Sequence, residues 1–275
     1  VGESDRAQDW FQVSEPEPGV FAIEEPLHEE RVCSYLIVGD ERALLIDAGM
    51  GVADLRAVVE SLTDRPVTLL VSHAHFDHVG DAWRFAADRP ILVHPLEADR
   101  LRAGTPNATI RRFFAPEHLR GPLPDDYDVA TATIPGVEPT GFVVDGDRID
   151  LGGRVLEVIF APGHEVGLLA LLDLANRLLF STDVVYAGAI YAQMPGSDLD
   201  AYRATMTRLA ARAPEIDRIY PAHNDRPLAP DLLPRIATAL DEIAAGRPVD
   251  GVDRGTAVHE FAGFSVIVPA PGAAA

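Results

Sequence analysis

Within Ser72-His73-Ala74-His75-Phe76-Asp77-His78-Val79-Gly80, three imidazoles and one carboxylate fall inside six residues. Burying so many polar groups together is costly unless a cation binds them. Nitrogen and oxygen donors on a short turn suit a borderline divalent ion, zinc above all. His73 and His75 are separated by one residue and can point the same way at a strand end, while Asp77 and His78 offer a second direction. One segment can thus feed two ions a few ångströms apart, and it cannot close either site alone.

Further candidates stand after other apolar runs. Ala161-Pro162-Gly163-His164 follows Val155 to Phe160, Ser181-Thr182-Asp183 follows Arg177 to Phe180, and Pro221-Ala222-His223 follows Arg218 to Tyr220. Such strand ends bring side chains together on one edge of a sheet. His28, His94, His118 and His259 match no such pattern and are expected to be structural. Asp47 is expected to orient a ligand imidazole or to cap its own turn.

The elements that must position these residues are short. Gly19–Ile23, Tyr35–Val38 and Ala43–Asp47 read as strands divided by acidic and glycine turns. Apolar residues at helical spacing cover Val52–Leu62, and a buried strand, Val67–Val71, runs directly into the His cluster. A helix follows from Gly80 to Ala87, then a strand at Ile91–Val93 and a helix around Leu96 to Leu101. Residues 104–140 break this rhythm: they are rich in proline and read as an irregular insertion with apolar anchors. A cover over the active site is the preferred reading of it, with a surface excursion or a dimer contact as alternatives. Strands resume at Phe142–Val144, Arg148–Leu151, Val155–Phe160, Leu168–Leu172 and Arg177–Phe180. A helix at Leu199–Arg212 with Ser197 as N-cap, a strand at Arg218–Tyr220, a helix at about Pro230–Ala245 and a strand near Phe264–Val268 complete the chain, with a frayed tail at Pro271–Ala275. Strands and helices in this order fit an α/β fold (α+β by some schemes) with two sheets face to face and helices outside.

Composition limits the partners. The chain has 275 residues, 47% of them hydrophobic, enough for one large domain spanning 1–275. The formal charge is −20, and all 23 basic residues are Arg. An acidic surface repels nucleic acids and anionic membranes, and the absence of Lys excludes Schiff-base chemistry. The single cysteine, Cys33, rules out an intrachain disulfide and a thiolate zinc cage. No basic region followed by an apolar run opens the chain, so a cytoplasmic protein is expected; the start at Val1 leaves a removed leader open. A small, neutral or hydrophobic substrate is expected, with a homodimer as an open alternative.

The pattern HxHxDH, followed by His, Asp and His at successive strand ends, strongly resembles that of the metallo-β-lactamase-fold hydrolases. Leu45-Ile46-Asp47-Ala48-Gly49 looks like the strand and turn that precede the first helix in that family. The resemblance spans nearly the whole chain and implies a four-layer αβ/βα sandwich of two mixed sheets. Carried over by position, it implies that His73, His75 and His164 hold a first ion. Asp77, His78 and His223 would hold a second, with Asp183 bridging. Two divalent ions, zinc first and manganese or iron as alternatives, would then supply hydroxide for attack on a carbonyl. Asp77 and Asp183 are catalytic candidates on that basis. Tyr186, three residues after Asp183, matches a Tyr that contacts substrate in the family's acyl-homoserine-lactone lactonases; Tyr191 is the alternative. An ester or lactone is therefore the expected substrate. Thioesters in the manner of glyoxalase II, phosphotriesters, β-lactams, or a mononuclear iron persulfide dioxygenase reaction are the alternatives. A non-catalytic binding module that keeps the site for structure is a further one. His164-Glu165-Val166-Gly167 departs from the family, which commonly has a Thr and small residues after this His.

Overall fold

The computed structural model describes residues 10–253 and 255–270. The expected fraying of Pro271–Ala275 lies outside them. The chain divides into two compact units, Val1–Val143 with Ile149–Val155 and Val144–Arg148 with Leu156–Ala275.

The first unit is built on a seven-stranded mixed sheet in simple sequence order. Its strands are β1 (Gln12–Glu17), β2 (Val20–Glu24), β3 (Cys33–Val38), β4 (Ala43–Ile46), β5 (Val67–Val71), β6 (Ile91–Val93) and β7 (Gly141–Phe142). The first four pair antiparallel, whereas β4 to β7 run parallel. Parallel pairing needs a crossover, and α1 (Leu55–Leu62) supplies the one between β4 and β5. That helix starts three residues later than its apolar spacing suggests, because Asp54 accepts a 2.9 Å bond from Ala57 N and caps it. Leu36, Leu45, Leu69 and Val93 join Leu55, Val59 and Phe85 in one apolar core. The opposite sheet face, with Tyr35, Ile37, Leu44 and Ile46, is buried as well. Strands buried on both faces read as continuous apolar runs, which is how β3 to β5 appear.

After β5 come two single-turn helices, α2 (Phe76–Val79) and α3 (Ala82–Phe85), and after β6 comes α4 (Ala98–Ala103). The insertion at 104–140 is more ordered than its composition suggests, since it contains α5 (Asn107–Phe113). Reciprocal bonds between Thr105 and Ile134, 2.9 and 3.0 Å long, tie its two ends together. Asn107 Nδ2 fastens α5 to the carbonyls of Val129 and Ala132. Ile110, Phe114, Ile134 and Val137 are part of the unit's core, and Phe113 stacks on Phe76 with ring centroids 4.4 Å apart. The insertion therefore borders the His-rich segment.

The strands that follow β7 lie in two sheets where one was expected, and all their residues except Ile149, Asp150 and Val155 fall in the second unit. Five strands take the order β13-β11-β10-β9-β8, with β8 at Arg148–Asp150, β9 at Val155–Phe160, β10 at Leu169–Asp173, β11 at Leu178–Thr182 and β13 at Arg218–Pro221. Four more, β12 (Ala189–Tyr191), β14 (Gly251–Asp253), β15 (Thr256–Phe261) and β16 (Phe264–Pro269), form the other sheet in the order β12-β16-β15-β14. Helices α6 (Leu199–Ala211) and α7 (Leu232–Ala244) contribute Tyr202, Met206, Ile236 and Leu240 to this unit's core. Mixed sheets with helices are the expected α/β class. No helix among the described residues is long and apolar enough to cross a membrane.

Candidate metal centre

In the first unit, buried β5 delivers Ser72 and His73, and the chain turns into α2, whose N-cap is His75. His73 and His78 are fully buried, Asp77 nearly so. His73 Nε2 lies 3.0 Å from His75 Nδ1, and the rings of His73 and His78 are 4.1 Å apart. Asp77 Oδ2 stands 3.7 Å from His78 Nε2. Ligand atoms of His73 and His75, of His73 and His78, and of Asp77 and His78 fall within 4.8 Å in each pair. The four predicted ligands of this segment are thus brought together.

Asp47 organises them. Its Oδ1 accepts Ser72 N at 2.7 Å, and its Oδ2 lies 2.8 Å from both Ser72 Oγ and His78 Nδ1. The Ser72 hydroxyl donates to Asp47, so Oγ is left to accept the Nδ1 proton of His73, 3.0 Å away. Both imidazoles thereby carry their proton on Nδ1 and present the Nε2 lone pair, the tautomer a metal ligand needs. Asp47 has φ 64°, a left-handed conformation retained at a functional turn. The turn also clamps the motif through Ala48 N to His78 O (2.8 Å) and Gly80 N to Gly49 O (2.7 Å). Gly80 is required there, because a Cβ would fall 2.0 Å from the Met50 carbonyl carbon.

Two buried carboxyl groups support this turn from outside. Glu97 Oε2 accepts Ala74 N at 3.0 Å, between His73 and His75. Glu25 accepts Trp10 Nε1 at 2.5 Å and Met50 N at 2.8 Å, and burial raises its pKa to about 8. Sequence reasoning missed Glu97, Glu25 and Ser72. Only Ser72 carried a signal, its position next to His73.

In the second unit, β9, β11 and β13 run parallel to one another, β9 through the antiparallel β10. Their C-terminal ends therefore share one sheet edge, where α/β sheets commonly bind ligands. His164, Asp183 and His223 all follow those ends. A single oxygen, Asp183 Oδ2, lies 3.5 Å from His164 Nε2 and 3.2 Å from His223 Nε2. His164 Nδ1 gives its proton to Tyr191 O at 3.0 Å, so again Nε2 is the free donor atom. Gly163 permits the turn: a Cβ there would come within 2.5 Å of Tyr202. The expected N-cap role of Ser197 falls instead to Asp198, because Ser197 Oγ bonds the His164 carbonyl at 2.8 Å. Glu165, the departure from the family pattern, is buried against Gly196 and accepts its neighbour Val166 N at 3.0 Å.

Tyr186 is buried in the same unit with its ring 5.7 Å from that of His223. Its hydroxyl accepts Tyr191 N at 3.2 Å, and burial holds its pKa well above the usual tyrosine value. The phenol thus keeps its own proton to donate. Tyr191 contributes its backbone here, and its side chain is partly exposed.

The remaining histidines have structural partners. His28 Nε2 bonds Phe113 O at 2.9 Å, His94 Nδ1 caps Leu96 N at 3.3 Å, His118 pairs with Glu29, and His259 Nδ1 lies 3.2 Å from Pro248 O. Burial lowers the pKa of His28 and of His94, keeping both neutral.

Taken singly, each half presents imidazole nitrogens held in one tautomer and carboxylate oxygens, a donor set that fits a divalent ion of zinc or iron type. Comparison with known proteins agrees. Acyl-coenzyme A thioesterase MBLAC2 of Homo sapiens is 32% identical over 233 residues, covering 79% of this chain and 82% of that protein. A metallo-beta-lactamase from Pontibacter korlensis superposes with a TM-score of 0.62 at 17% identity, over 84% of this chain and 99% of its own. TTHA1623, solved in a di-iron-bound form, gives a TM-score of 0.55 at 27% identity, over 76% and 95% of the two chains. The family model described as the metallo-beta-lactamase superfamily matches residues 30–223, a stretch that contains every ligand candidate, and the chain belongs to that family of metallo-hydrolases.

Proposed function

We propose that this chain is a dinuclear metal-dependent thioesterase, hydrolysing the acyl–sulfur bond of a small acyl thioester. His73, His75 and His164 would hold one ion, Asp77, His78 and His223 the other, and Asp183 would bridge. One observation supports the dinuclear part: a single Asp183 oxygen stands 3.5 Å from the His164 imidazole and 3.2 Å from that of His223, and the resemblance to the family would put those two imidazoles on different ions. When bound, two such ions supply a nucleophilic hydroxide near neutral pH and a Lewis acid for the carbonyl oxygen.

The chain's own residues then have defined tasks. Asp47 and Ser72 hold His73 and His78 in the donor tautomer, and the Tyr191 carbonyl does so for His164. Tyr186 keeps a phenol proton beside His223, available to the substrate carbonyl or to a departing oxygen. A thiol with a pKa of about 8.5 departs as thiolate without that proton. An alcohol does not. The thioester reading is supported by the thioesterase relative, and the apolar Phe76–Phe113 stack beside the ligands suits an acyl group.

A second reading, hydrolysis of an ester or lactone, is favoured by the placement of Tyr186. Matched thioester, oxyester and lactone substrates of one acyl chain, assayed with metal-reconstituted protein, separate the two. The proposal expects kcat/KM to be highest for the thioester. A higher value for the oxyester or lactone would overturn it, as would iron-dependent oxygen consumption without ester cleavage.

A further inference from the structure

Most arginines of this acidic chain are committed to carboxylates. Arg56 serves Glu60 and Asp88, Arg102 serves Asp99 and Glu138, Arg203 serves Asp200 and Asp241, and Arg212 serves Glu157 and Glu215. Arg111 and Arg112, like Arg65 and Arg148 elsewhere, have no side-chain hydrogen bond or ion pair with any described residue, and both are exposed in the last turn of α5. A helix C-terminus favours a nearby cation, and consecutive helix positions point to different sides of the helix, so the two guanidinium groups are two separate points of positive charge.

Their place in the fold gives the pair a context. The Arg112 guanidinium lies 5.4 Å from the Phe113 ring, Phe113 stacks at 4.4 Å on Phe76, and Phe76 stands between His75 and Asp77. Only two ring contacts separate the cation from the ligand segment. The support is firm: Asn107 pins the start of α5 to two carbonyls, and the Phe113 carbonyl accepts His28 Nε2 at 2.9 Å. A fixed apolar wall beside the candidate ligands thus ends at Arg112, with Arg111 next to it in the helix.

We propose that Arg111 and Arg112 bind the phosphate groups of the substrate's thiol carrier, which makes the substrate class acyl thioesters of a phosphate-bearing thiol such as coenzyme A. This rests on the thioester reading above. Guanidinium groups match phosphate in charge and in donor geometry. An overall charge of −20 repels such a carrier, so a local cation is what admits it. The neutral acyl chain meets Phe76 and Phe113, while the anionic end of the flexible carrier reaches the arginines.

Binding of coenzyme A and of pantetheine, which has the same thiol and no phosphate, to the metal-loaded full chain tests the assignment without requiring turnover. Calorimetry is expected to show coenzyme A bound about tenfold more tightly than pantetheine, a preference of the size exposed ion pairs give. The double substitution Arg111→Ala with Arg112→Ala should abolish that preference and leave pantetheine binding unchanged; added salt should weaken it too. Equal binding of the two thiols, no detectable binding of coenzyme A, or a preference that survives the double substitution overturns the assignment, as does equal weakening of both. If coenzyme A binds through the arginines and no thioester is cleaved, the anion site stands and the thioesterase reading falls. If thioesters are cleaved with no preference for a phosphate-bearing carrier, the thioesterase reading stands and the anion site falls.

Discussion

The two units hold their ligand sets in different ways. In the first, four candidate ligands lie in one six-residue segment, and a buried carboxylate, Asp47, fixes two of the imidazoles, His78 directly and His73 through Ser72. In the second, three candidate ligands arrive from three strand ends, and main-chain groups do the holding: the Tyr191 carbonyl on His164, and the Gly163 turn against Tyr202. The first half depends on a few side chains that a point substitution can remove. The second depends on sheet register, and its one decisive side chain is the proposed bridge, Asp183 itself.

Substitutions on either side test that contrast. Asp183→Asn should have the largest effect, a loss of kcat/KM on the order of a thousandfold, with bound metal falling from two ions to one by elemental analysis. Retention of both ions would remove Asp183 from the bridge. Next, Asp47→Asn is expected to lower metal affinity or activity roughly 10- to 100-fold, the usual range for a group that orients a ligand. Ser72→Ala should cost less, since it removes the hydroxyl that joins Asp47 to His73 and leaves the bond from Asp47 to His78 in place. Equal losses in metal titrations of these two variants would mean that Asp47 is not the hub. On the other side, Tyr186→Phe should reduce oxyester hydrolysis by about tenfold or more and thioester hydrolysis far less. A uniform loss would make it a packing residue.

A last effect, outside catalysis, concerns stability. Glu25 has its pKa raised by burial from 4.5 to about 8, so the unfolded chain ionises there first as pH rises. Its contribution to stability therefore declines through that window, by at most about 1.4 kcal/mol per pH unit. Denaturant unfolding of Glu25→Gln should show a stability difference from the parent that grows in the variant's favour between those pH values. A difference independent of pH would show that Glu25 ionises alike in both states.

The same contrast explains what could be read in advance. The first ligand segment is legible because its residues are contiguous and follow an apolar strand, Val67–Val71, found at the expected bounds. The second was reachable residue by residue as His or Asp after apolar runs, and only the family pattern put them in order. Polar β1, almost wholly exposed at a sheet edge, lacked any alternation to reveal it. Helix α5 was hidden by proline-rich surroundings, although its anchors Ile110 and Phe114 pack in the core. Glu97 could not be found at all, because its partner is a backbone amide 23 residues away. Contacts made by main chain leave little trace in residue type.

Both ligand sets are proposed to work as one dinuclear centre on a thioester. Titrating metal-free protein with zinc, manganese or iron(II) while following hydrolysis of an acyl thioester tests this most directly. A dinuclear centre predicts activity that rises to a break at two equivalents of metal per chain. A break at one equivalent, or activity indifferent to added metal, contradicts it.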